Sequence, residues 1–496
     1  MKALSTALAF DLGATSGRAL VGRLTDGGIV VEELHRFPND PVQAGDRLHW
    51  DVLRLYHEMK QALLKAKHLG MVPDSLAVDS WAVDFGLIGR NGELLGNPYH
   101  YRDPHTGGVM EKLLDLVPAE ELFARTGIQL LPFNTIFQLY AMKLADSPLL
   151  KEARRLLMMP DLFRYFLTGE MHAEFTNATT TQLYSPFADD WDRELIARLG
   201  FAEEWFVPAV KPGTKAGVLR ESVRSELGLP PVAVIAAAEH DTAAAVAAVP
   251  AAERAFAYLI SGTWSLMGTE VDAPVLGDRA REFNFTNEGG VGGTFRLLKN
   301  IMGMWLLEEC RRDWARAGHR YDYGELVAMA RRAPAFASLI DPDDPVFLPA
   351  GGMTARIRDW CRRTGQPVPD EPGAVVRCIM ESLALKYRHV LEMTEQLSGR
   401  AFGGLHMTGG GSRNEWLCQL TANSIGRPVW AGPAEGSGIG NLAVQWIAAG
   451  AFRDIWEARA AIRSAFPQKA YEPEDRGMWE EAYGKFLAVT GLKQAS

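Results

Sequence analysis

The opening of the chain alternates apolar runs with short turns. STALAFDL is apolar, GATSG is a turn, RALVGRL alternates, TDGG is a second turn and IVVEELHRF follows. This pattern predicts three strands joined by tight turns. DVLRLYHEMKQALLKAKHLG has the spacing of an amphipathic helix, which Asp51 can cap and Gly70 can end. SLAVDS and WAVDFGLIG predict a further strand pair, closed by a turn at Asn91 and Gly92.

A second glycine-turned hairpin follows about halfway along the chain. VAVIAAA predicts a buried strand, and EHDTAAAVAAVP turns into an alanine-rich helix that Pro250 ends. AFAYLISGTWSLMGTEV then reads as strand, glycine turn and strand. The strands LHMT and RPVWAG are each followed by a helix, the first from Glu415 and the second from about Gly440. The chain therefore predicts two α/β domains, 1–250 and 251–496.

Composition and charge exclude several classes of partner. The 496 residues are 47% hydrophobic and 23% charged, which suits two or three globular domains. The net charge of −9 and the lack of any basic run argue against a nucleic-acid partner. No segment approaches ~20 uninterrupted apolar residues, and the apolar N-terminal stretch is broken by Asp11. We therefore expect a cytoplasmic protein with no membrane partner, as a monomer or a homodimer.

The four cysteines show no zinc-binding pattern. Cys310, Cys361, Cys378 and Cys418 lack CxxC pairing and histidine-rich neighbours, so reduced thiols are the expected state. Cys361 and Cys378 flank the short connection QPVPDEPG, which leaves a disulfide between them open.

The first glycine turn, DLGATSGR, could bind phosphate. Small residues allow backbone N–H groups to approach phosphate oxygens, and Asp11 at the strand end could hold a magnesium ion, directly or through water. Without other information an ordinary turn is the simpler interpretation, because the motif is neither a Walker A loop nor a GxGxxG fingerprint. The candidate phosphate-binding residues are Ala14, Thr15, Ser16, Gly17 and Arg18.

Two further glycine-rich turns point to the same ligand. SGTWSLMG offers the hydroxyl and amide of Thr263 to phosphate, whereas Trp264 is better explained as core. MTGGGSRNEW places Gly410 between a buried strand and a helix, where a backbone without side chains can approach a flat adenosine. Each turn alone could be structural; together they suggest a nucleotide in a cleft between the two halves.

The AEHDT segment lies between an apolar strand and an alanine-rich helix, at the strand end where ligands gather in α/β folds. Asp241 could be a helix N-cap, but phosphoryl transfer to a polyol needs a carboxylate to accept the proton of the attacking hydroxyl. Asp241 is the best candidate for that base. His240 could orient a sugar hydroxyl.

Other residues could form a sugar platform. Asp79, Trp81 and Asp84 in DSWAVDF combine an aromatic ring with carboxylates. Asn134 and Asn300 are amides among apolar residues, for which a satisfied core amide is the simpler interpretation.

Ten segments in order carry a resemblance that covers nearly the whole chain: DLGATSGR, SWAVDF, YRDP, LPFNTIFQL, MPDLFRYFLTGE, TNATTTQLY, AEHDTAAAVAAVP, SGTWSLMG, LLKNIMG and GGGSRN. Together they resemble the FGGY carbohydrate kinases. The resemblance implies two actin-like, ribonuclease-H-like ATPase domains around an ATP cleft, with magnesium as the metal. It implies that Asp241 is the catalytic base, that residues 14–18 and Thr263 bind phosphate, and that Gly410 lies in the adenosine loop.

LPFNT, TNATTTQL and SGTWSLMG followed by LLKNIMG are similar to the members of that family that phosphorylate L-rhamnulose at O1. This likeness implies that the ketose is contacted by Ala82, His240, Asp241, Thr242 and Asn300. Ala82 replaces an expected glycine, which could shift sugar preference by ~1 to 3 kcal/mol, and Glu308 replaces an expected glutamine near the nucleotide.

Several alternatives stay open. They are a related kinase for L-fuculose, xylulose, glycerol or a quorum-signal sugar, and, from another class, a non-catalytic ATP-dependent sensor with the same fold.

Overall fold

The computed structural model describes residues 3–494. Its strands are β1 (Ala3–Leu12), β2 (Ser16–Thr25), β3 (Gly28–Pro38), β4 (Val42–Ala44), β5 (Arg47–His49), β6 (Ser75–Ser80), β7 (Phe85–Ile88), β8 (Arg155–Met158), β9 (Ala173–Glu174), β10 (Tyr184–Ser185), β11 (Asp190–Trp191), β12 (Ala209–Val210), β13 (Thr214–Val218), β14 (Ala233–Ala236), β15 (Ala257–Ser261), β16 (Trp264–Val271), β17 (Thr286–Gly289), β18 (Phe295–Met302), β19 (Leu405–Thr408), β20 (Val429–Ala431) and β21 (Lys469–Tyr471).

The α-helices of the same residues are α1 (Val52–His68), α2 (Val109–Leu114), α3 (Ala119–Thr126), α4 (Thr135–Leu144), α5 (Pro148–Glu152), α6 (Met159–Thr168), α7 (Phe175–Ala178), α8 (Arg193–Arg198), α9 (Glu221–Leu227), α10 (Asp241–Ala247), α11 (Asp278–Glu282), α12 (Trp305–Arg316), α13 (Tyr323–Arg332), α14 (Met353–Arg363), α15 (Pro372–Ser398), α16 (Glu415–Ile425), α17 (Gly436–Ala448), α18 (Ile455–Ala465) and α19 (Arg476–Thr490).

The chain folds into two compact units. The first contains the segment that ends at Ala252, together with Glu270–Leu297 and Gly436–Phe466. The second contains Glu253–Thr269, Leu298–Glu435 and the segment that begins at Pro467.

The first large sheet contains six strands in the order β13-β14-β6-β1-β2-β3. The predicted opening hairpins are confirmed, because β1, β2 and β3 pair antiparallel. On its other side β1 pairs parallel with β6, and β6 pairs parallel with β14. The carboxyl ends of three strands therefore meet at one edge of this sheet.

The second large sheet repeats this order. Its strands run β17-β18-β16-β15-β19-β20-β21, with β15 and β16 antiparallel and with β19 parallel to both β15 and β20. The series β14-β6-β1-β2 in the first sheet thus corresponds to β20-β19-β15-β16 in the second. The predicted α/β class and its two hairpin-led halves are confirmed.

The two faces of β1 pack against different helices because side chains alternate along a strand. Phe10 belongs to a core cluster that includes Leu55 and Met59 of α1. Ala9 belongs to a cluster that includes Leu442 and Trp446 of α17. Helix α1 begins as predicted, with the Asp51 side chain accepting a hydrogen bond from the Arg54 N–H at 3.2 Å.

The predicted pairing of SLAVDS with WAVDFGLIG is wrong. Strand β7 pairs antiparallel with β8, in a separate two-stranded sheet. The reason is a tight turn at Val83, whose φ is 67° and across which the Asp84 N–H donates to the Ala82 carbonyl at 2.9 Å. This three-residue γ-turn with positive φ is a rare and strained conformation, and it sends the chain out of the first sheet directly after β6.

Candidate active site

Polar side chains gather where the parallel strands of the first sheet end. Asp11 on β1 lies opposite Asp79 on β6 in the parallel register. Ser80 then bridges to His240, and its N–H donates to the Glu239 carbonyl at 2.9 Å. The sheet thus brings Asp11, Asp79 and the residue before Asp241 to the same edge, as expected for ligand sites in α/β folds.

Asp241 is the first residue of α10, and His240 occupies the N-cap position, so the interpretation of Asp241 as an N-cap is wrong. The Asp241 side chain is 27% exposed, and its Oδ1 accepts a hydrogen bond from Thr242 Oγ1 at 3.2 Å. Burial raises the pKa of Asp241, opposed by His240 and assisted by the negative charge of Asp11. A partly exposed carboxylate with a raised pKa suits a proton acceptor.

The first glycine turn is held closely around Asp11. Arg18 Nη2 lies 2.7 Å from Asp11 Oδ2, and Arg18 Nε donates to the same oxygen at 2.8 Å. The side chain of Asn39, which the sequence did not single out, donates to the Gly13 carbonyl at 2.8 Å. Gly17 packs against Phe37, and an added Cβ would lie 2.3 Å from that ring.

The other residues of this turn differ in exposure. Thr15 is exposed at the tip, while Ala14 and Ser16 are half-buried. The structure therefore places the predicted phosphate-binding residues beside Asp11, with Thr15 the most accessible.

A ladder of amides fixes Asp79, and sequence reasoning missed it. Asn441 Nδ2 donates to Asp79 Oδ2 at 2.7 Å, and Gln445 Nε2 donates to Asn441 Oδ1 at 2.8 Å. Ser75 Oγ donates to Gln445 Oε1 at 2.7 Å. Burial raises the pKa of Asp79 well above its usual range, and the negative charge of Asp11 is the second cause. The available signal was the pair of amides four residues apart on the otherwise apolar helix α17.

Asp84 is a buried acceptor and not part of an open sugar platform. Its Oδ2 accepts from Trp50 Nε1 at 2.6 Å, Trp81 Nε1 at 3.0 Å and the Tyr101 N–H at 3.1 Å, and its Oδ1 accepts from Gln138 Nε2 at 2.8 Å. Burial raises the pKa of Asp84 to about 7, although all four donors act in the opposite direction.

Half-buried Ala82 follows Trp81 and is the first residue of the strained turn at Val83. Ala82, which is predicted to contact the sugar, is therefore next in the chain to Trp81, which donates a hydrogen bond to the buried Asp84 carboxylate. Because Ala82 is two residues after Ser80, which bridges to His240, it lies near the strand edge that also carries Asp241.

The His240 ring is enclosed by charged residues. Arg296 Nη2 lies 3.0 Å from His240 Nδ1, and Glu288 Oε2 lies 3.3 Å from the same nitrogen. Arg296 and Glu288 form a buried ion pair at 3.0 Å. On the other side of the ring, Nε2 lies 3.5 Å from Asp241 Oδ1.

A second buried network holds the backbone before Asp241. Thr176 Oγ1 accepts from the His240 N–H at 3.1 Å and donates to Glu174 Oε2 at 2.6 Å. The same Glu174 oxygen accepts from the Glu239 N–H at 3.2 Å, and Arg164 Nε donates to Glu239 Oε1 at 2.7 Å. Burial raises the pKa of Glu174 to about 8, and the negative charge of Glu239 is the second cause. The TNATTTQLY segment thus serves the site through the backbone of residues 239 and 240.

In the second unit, the predicted nucleotide residues lie around the β15–β16 turn. The Trp305 N–H donates to the Thr263 carbonyl at 3.1 Å, so this turn contacts the start of α12, whose first turn contains Glu308. Glu308 lies 3.2 Å from Arg311 and is 31% exposed. The Gly409–Gly411 loop packs closely on Ser261. A Cβ added at Gly411 would lie only 2.0 Å from Ser261 Oγ.

Gly410 itself has open space where a side chain would be. Asn300 is half-buried on β18, the neighbour of β16 in the sheet. Asn134, by contrast, is a satisfied core amide, as the simpler interpretation predicted: its Nδ2 donates to the Gln129 carbonyl at 2.8 Å and to Gln182 Oε1 at 3.0 Å.

All four cysteines are buried free thiols. Between residues 3 and 494, no helix has both the length and the apolar character needed to cross a bilayer. The same residues contain no group of three or more histidine, cysteine or acidic side chains arranged to hold a metal. A magnesium ion bound through one or two carboxylates, with water and phosphate as its other ligands, needs no such group. The carboxylate of Asp11, the residue predicted to hold magnesium, offers oxygen donors of the kind that this mode of binding uses.

Models of both domains of a single family match the chain. The N-terminal domain model of the FGGY family of carbohydrate kinases matches residues 6–248, and its C-terminal domain model matches residues 257–449.

Relatives match nearly the whole length. A rhamnulokinase of Bacteroides thetaiotaomicron is 47% identical, over 96% of this chain and 98% of its own. Rhamnulokinases of Halalkalibacterium halodurans and Bacillus subtilis are 41% and 38% identical, over 95% and 94% of this chain and 100% and 95% of their own.

Solved structures share the fold at low identity. A ligand-bound xylulose kinase of Lactobacillus acidophilus aligns with a TM-score of 0.81 at 15% identity, over 98% of each chain. A glycerol kinase of Plasmodium falciparum with ADP aligns with a TM-score of 0.75 at 12% identity, again over 98% of each chain. These two likenesses concern the fold alone.

Proposed function

Because the chain belongs to the FGGY family of carbohydrate kinases, we propose that it transfers the γ-phosphate of ATP to O1 of L-rhamnulose. The products are L-rhamnulose 1-phosphate and ADP, a step of L-rhamnose catabolism. The observation that carries this substrate is the near full-length identity to rhamnulokinases. We place the reaction in the cytoplasm, where thiols such as the four free cysteines stay reduced.

In the proposed step, O1 of the ketose forms a bond to the γ-phosphorus while the bond from that phosphorus to the bridging oxygen of ADP breaks. The O1 proton passes to Asp241. The partial exposure of this carboxylate and its raised pKa support the assignment. Such a base contributes roughly 10²- to 10⁴-fold to a rate.

The other site residues have supporting roles in this proposal. Residues 14–18 and Thr263 bind the phosphates, and Gly410 and Glu308 lie near the adenosine. Ala82, His240, Thr242 and Asn300 contact the ketose together with Asp241. Magnesium would be held by Asp11, directly or through water, and would neutralise charge on the phosphates.

We propose that the two halves of the chain bind different parts of the ligands. Residues 1–250 would bind phosphate and most of the sugar, and residues 251–496 would bind adenosine and phosphate and would supply one sugar contact, Asn300.

The test measures ADP release with ATP, magnesium and a panel of L-rhamnulose, L-fuculose, L-ribulose, D-xylulose and glycerol. We expect the highest kcat/KM with L-rhamnulose and a loss of roughly 10³-fold in kcat in Asp241→Asn. Asp278→Asn is a matched control, because Asp278 is also the first residue of a short helix, and its side chain is 80% exposed.

The outcomes separate the alternatives. Preference for another sugar would move the specificity to the surroundings of Ala82 and leave the reaction class intact. Absence of turnover with every sugar would favour a non-catalytic ATP-dependent sensor. Near-normal turnover of a folded Asp241→Asn variant would refute the assignment of the base.

A further inference from the structure

The position of the His240 ring is fixed before any ligand arrives. The residue is buried, its N–H donates to Thr176 Oγ1 at 3.1 Å, and its backbone bridges to Ser80. A neutral imidazole has one donor nitrogen and one acceptor nitrogen, and these backbone contacts do not determine which of the two carries the proton.

The contacts of Nδ1 determine which nitrogen of the His240 ring is protonated. Arg296 Nη2 lies 3.0 Å from His240 Nδ1, and a guanidinium nitrogen can only donate. The same Nη2 also lies 3.0 Å from Glu288 Oε2, but this contact is an ion pair and not a hydrogen bond, because Oε2 has no hydrogen-bond partner among the described residues. A proton on Nδ1 would point at this N–H donor. Nδ1 is therefore the acceptor, and the proton lies on Nε2.

The guanidinium cannot turn away from the ring. Arg296 is fully buried, and its Nε donates to the Gly289 carbonyl at 2.8 Å. Burial alone would raise the pKa of Glu288, but opposing effects, of which the positive charge of Arg296 is the largest, lower it, so Glu288 stays ionised opposite the guanidinium.

We propose that Arg296, held by Glu288, is a positioning residue that fixes the neutral Nε2–H tautomer of His240, and that this N–H donates to a ketose oxygen beside the hydroxyl that Asp241 deprotonates. Nε2 lies 3.5 Å from Asp241 Oδ1, which is beyond ordinary hydrogen-bond distance. The N–H is therefore available to a ligand oxygen next to Asp241. His240 is then a donor and not a second base.

This inference rests in part on the proposed function, so its first test uses no substrate. Long-range ¹H–¹⁵N correlation spectra of the full chain, labelled with ¹⁵N in its histidines, identify the protonated ring nitrogen. The His240 signals are assigned by their loss in His240→Gln. We expect an unprotonated Nδ1 and a protonated Nε2; a proton on Nδ1 would overturn the proposal.

The second test is kinetic and uses whichever panel sugar gives the highest kcat/KM. The double variant Arg296→Met, Glu288→Gln removes both buried charges together, which avoids leaving one uncompensated. We expect its KM for the sugar to rise roughly 10- to 100-fold while its KM for ATP stays unchanged. An unchanged sugar KM would refute the role of Arg296.

A matched control separates positioning from general loosening of α10. Arg459 and Glu270 form another buried pair at 2.9 Å, and Arg459 Nη2 donates to the Val246 carbonyl near the far end of α10. Arg459→Met, Glu270→Gln should lower stability and leave the sugar KM unchanged. An equal rise in sugar KM in this control would contradict the proposal.

A single-residue comparison remains decisive if the Arg296 variant fails to fold. His240→Gln can place an amide N–H near the position of Nε2, whereas His240→Asn places its amide near Nδ1. We expect the glutamine variant to keep at least tenfold more kcat/KM than the asparagine variant. The reverse order would refute donation from Nε2.

Discussion

Four hydrogen-bond donors surround the carboxylate of Asp84, yet its pKa is raised to about 7 because no part of it reaches solvent. In the unfolded chain the pKa of the same group lies near 3.8, the ordinary value for an aspartate. Below pH 4 both states are protonated, and the group contributes no pH dependence. Between pH 4 and 7 the unfolded chain ionises first, which favours unfolding. Above pH 7 the destabilisation is constant.

We predict that the free energy of unfolding falls by on the order of 4 kcal/mol between pH 4 and pH 7 on account of Asp84 alone. In Asp84→Asn this contribution is absent, so the variant should lose less stability than the parent over the same interval. Urea titrations followed by tryptophan fluorescence would measure the difference, since Trp50 and Trp81 touch this carboxylate. Parallel pH profiles of the two proteins would contradict the prediction.

The positions of single residues in the fold were predictable from the sequence where those residues belong to a short recognisable motif. Asp11 lies near the end of β1 beside a short turn, Asp241 begins the helix that follows β14, and the structure places both near one edge of the first sheet. Their partners carried no such signal, because Asn441 follows Asp79 by 362 residues and Arg296 follows His240 by 56. Only the folded chain brings these residues together.

At the scale of elements, the contact between α10 and α17 determines where Asp241 lies. A Cβ added at Gly440 would lie 1.7 Å from the Ala244 carbonyl oxygen, so the two helices touch through their backbones. We predict that Gly440→Ala destabilises the protein by roughly 3 kcal/mol. It should also reduce kcat, because α10 must shift and Asp241 is its first residue. Thermal unfolding and turnover assays would check both effects.

Gly484→Ala is the matched control for this variant. Gly484 lies within α19 and has open space where a Cβ would be. Alanine there should stabilise the helix by about 0.5 to 1 kcal/mol without changing turnover. Equal behaviour of the two variants would show that the contact with Ala244 has no consequence.

Elements were predictable where the hydrophobic period persisted over several residues. The opening hairpins, α1 and the strand before α10 follow from such periods. The pairing of β7 did not, because it depends on one residue, Val83, with a φ of 67°. A β-branched residue rarely adopts that conformation, and it is stable only when the surrounding packing imposes it.

At the scale of the whole molecule, the first unit is assembled from three separated segments. Ala9 and Leu20 of the first sheet are covered by Leu442 and Trp446 of α17. We therefore predict that residues 3–252 expressed alone do not unfold cooperatively in urea and are rapidly digested by protease.

Joining residues 3–252 to 270–297 and 436–466 through flexible linkers supplies the missing helices, and cooperative unfolding should return. The decisive comparison is between these two proteins under identical conditions. A cooperative transition in the shorter fragment would show that α17 and α18 are dispensable for the first unit.

The discontinuous first unit also affects synthesis on the ribosome. Gly436 follows Ala252 by 184 residues, so α17 emerges roughly 10 to 40 s after the sheet that it covers, at typical elongation rates. Throughout that interval the apolar face of a nascent sheet has no partner and can bind chaperones or other nascent chains. Slower initiation or lower growth temperature should therefore increase the yield of recombinant protein more than any change made near the catalytic residues.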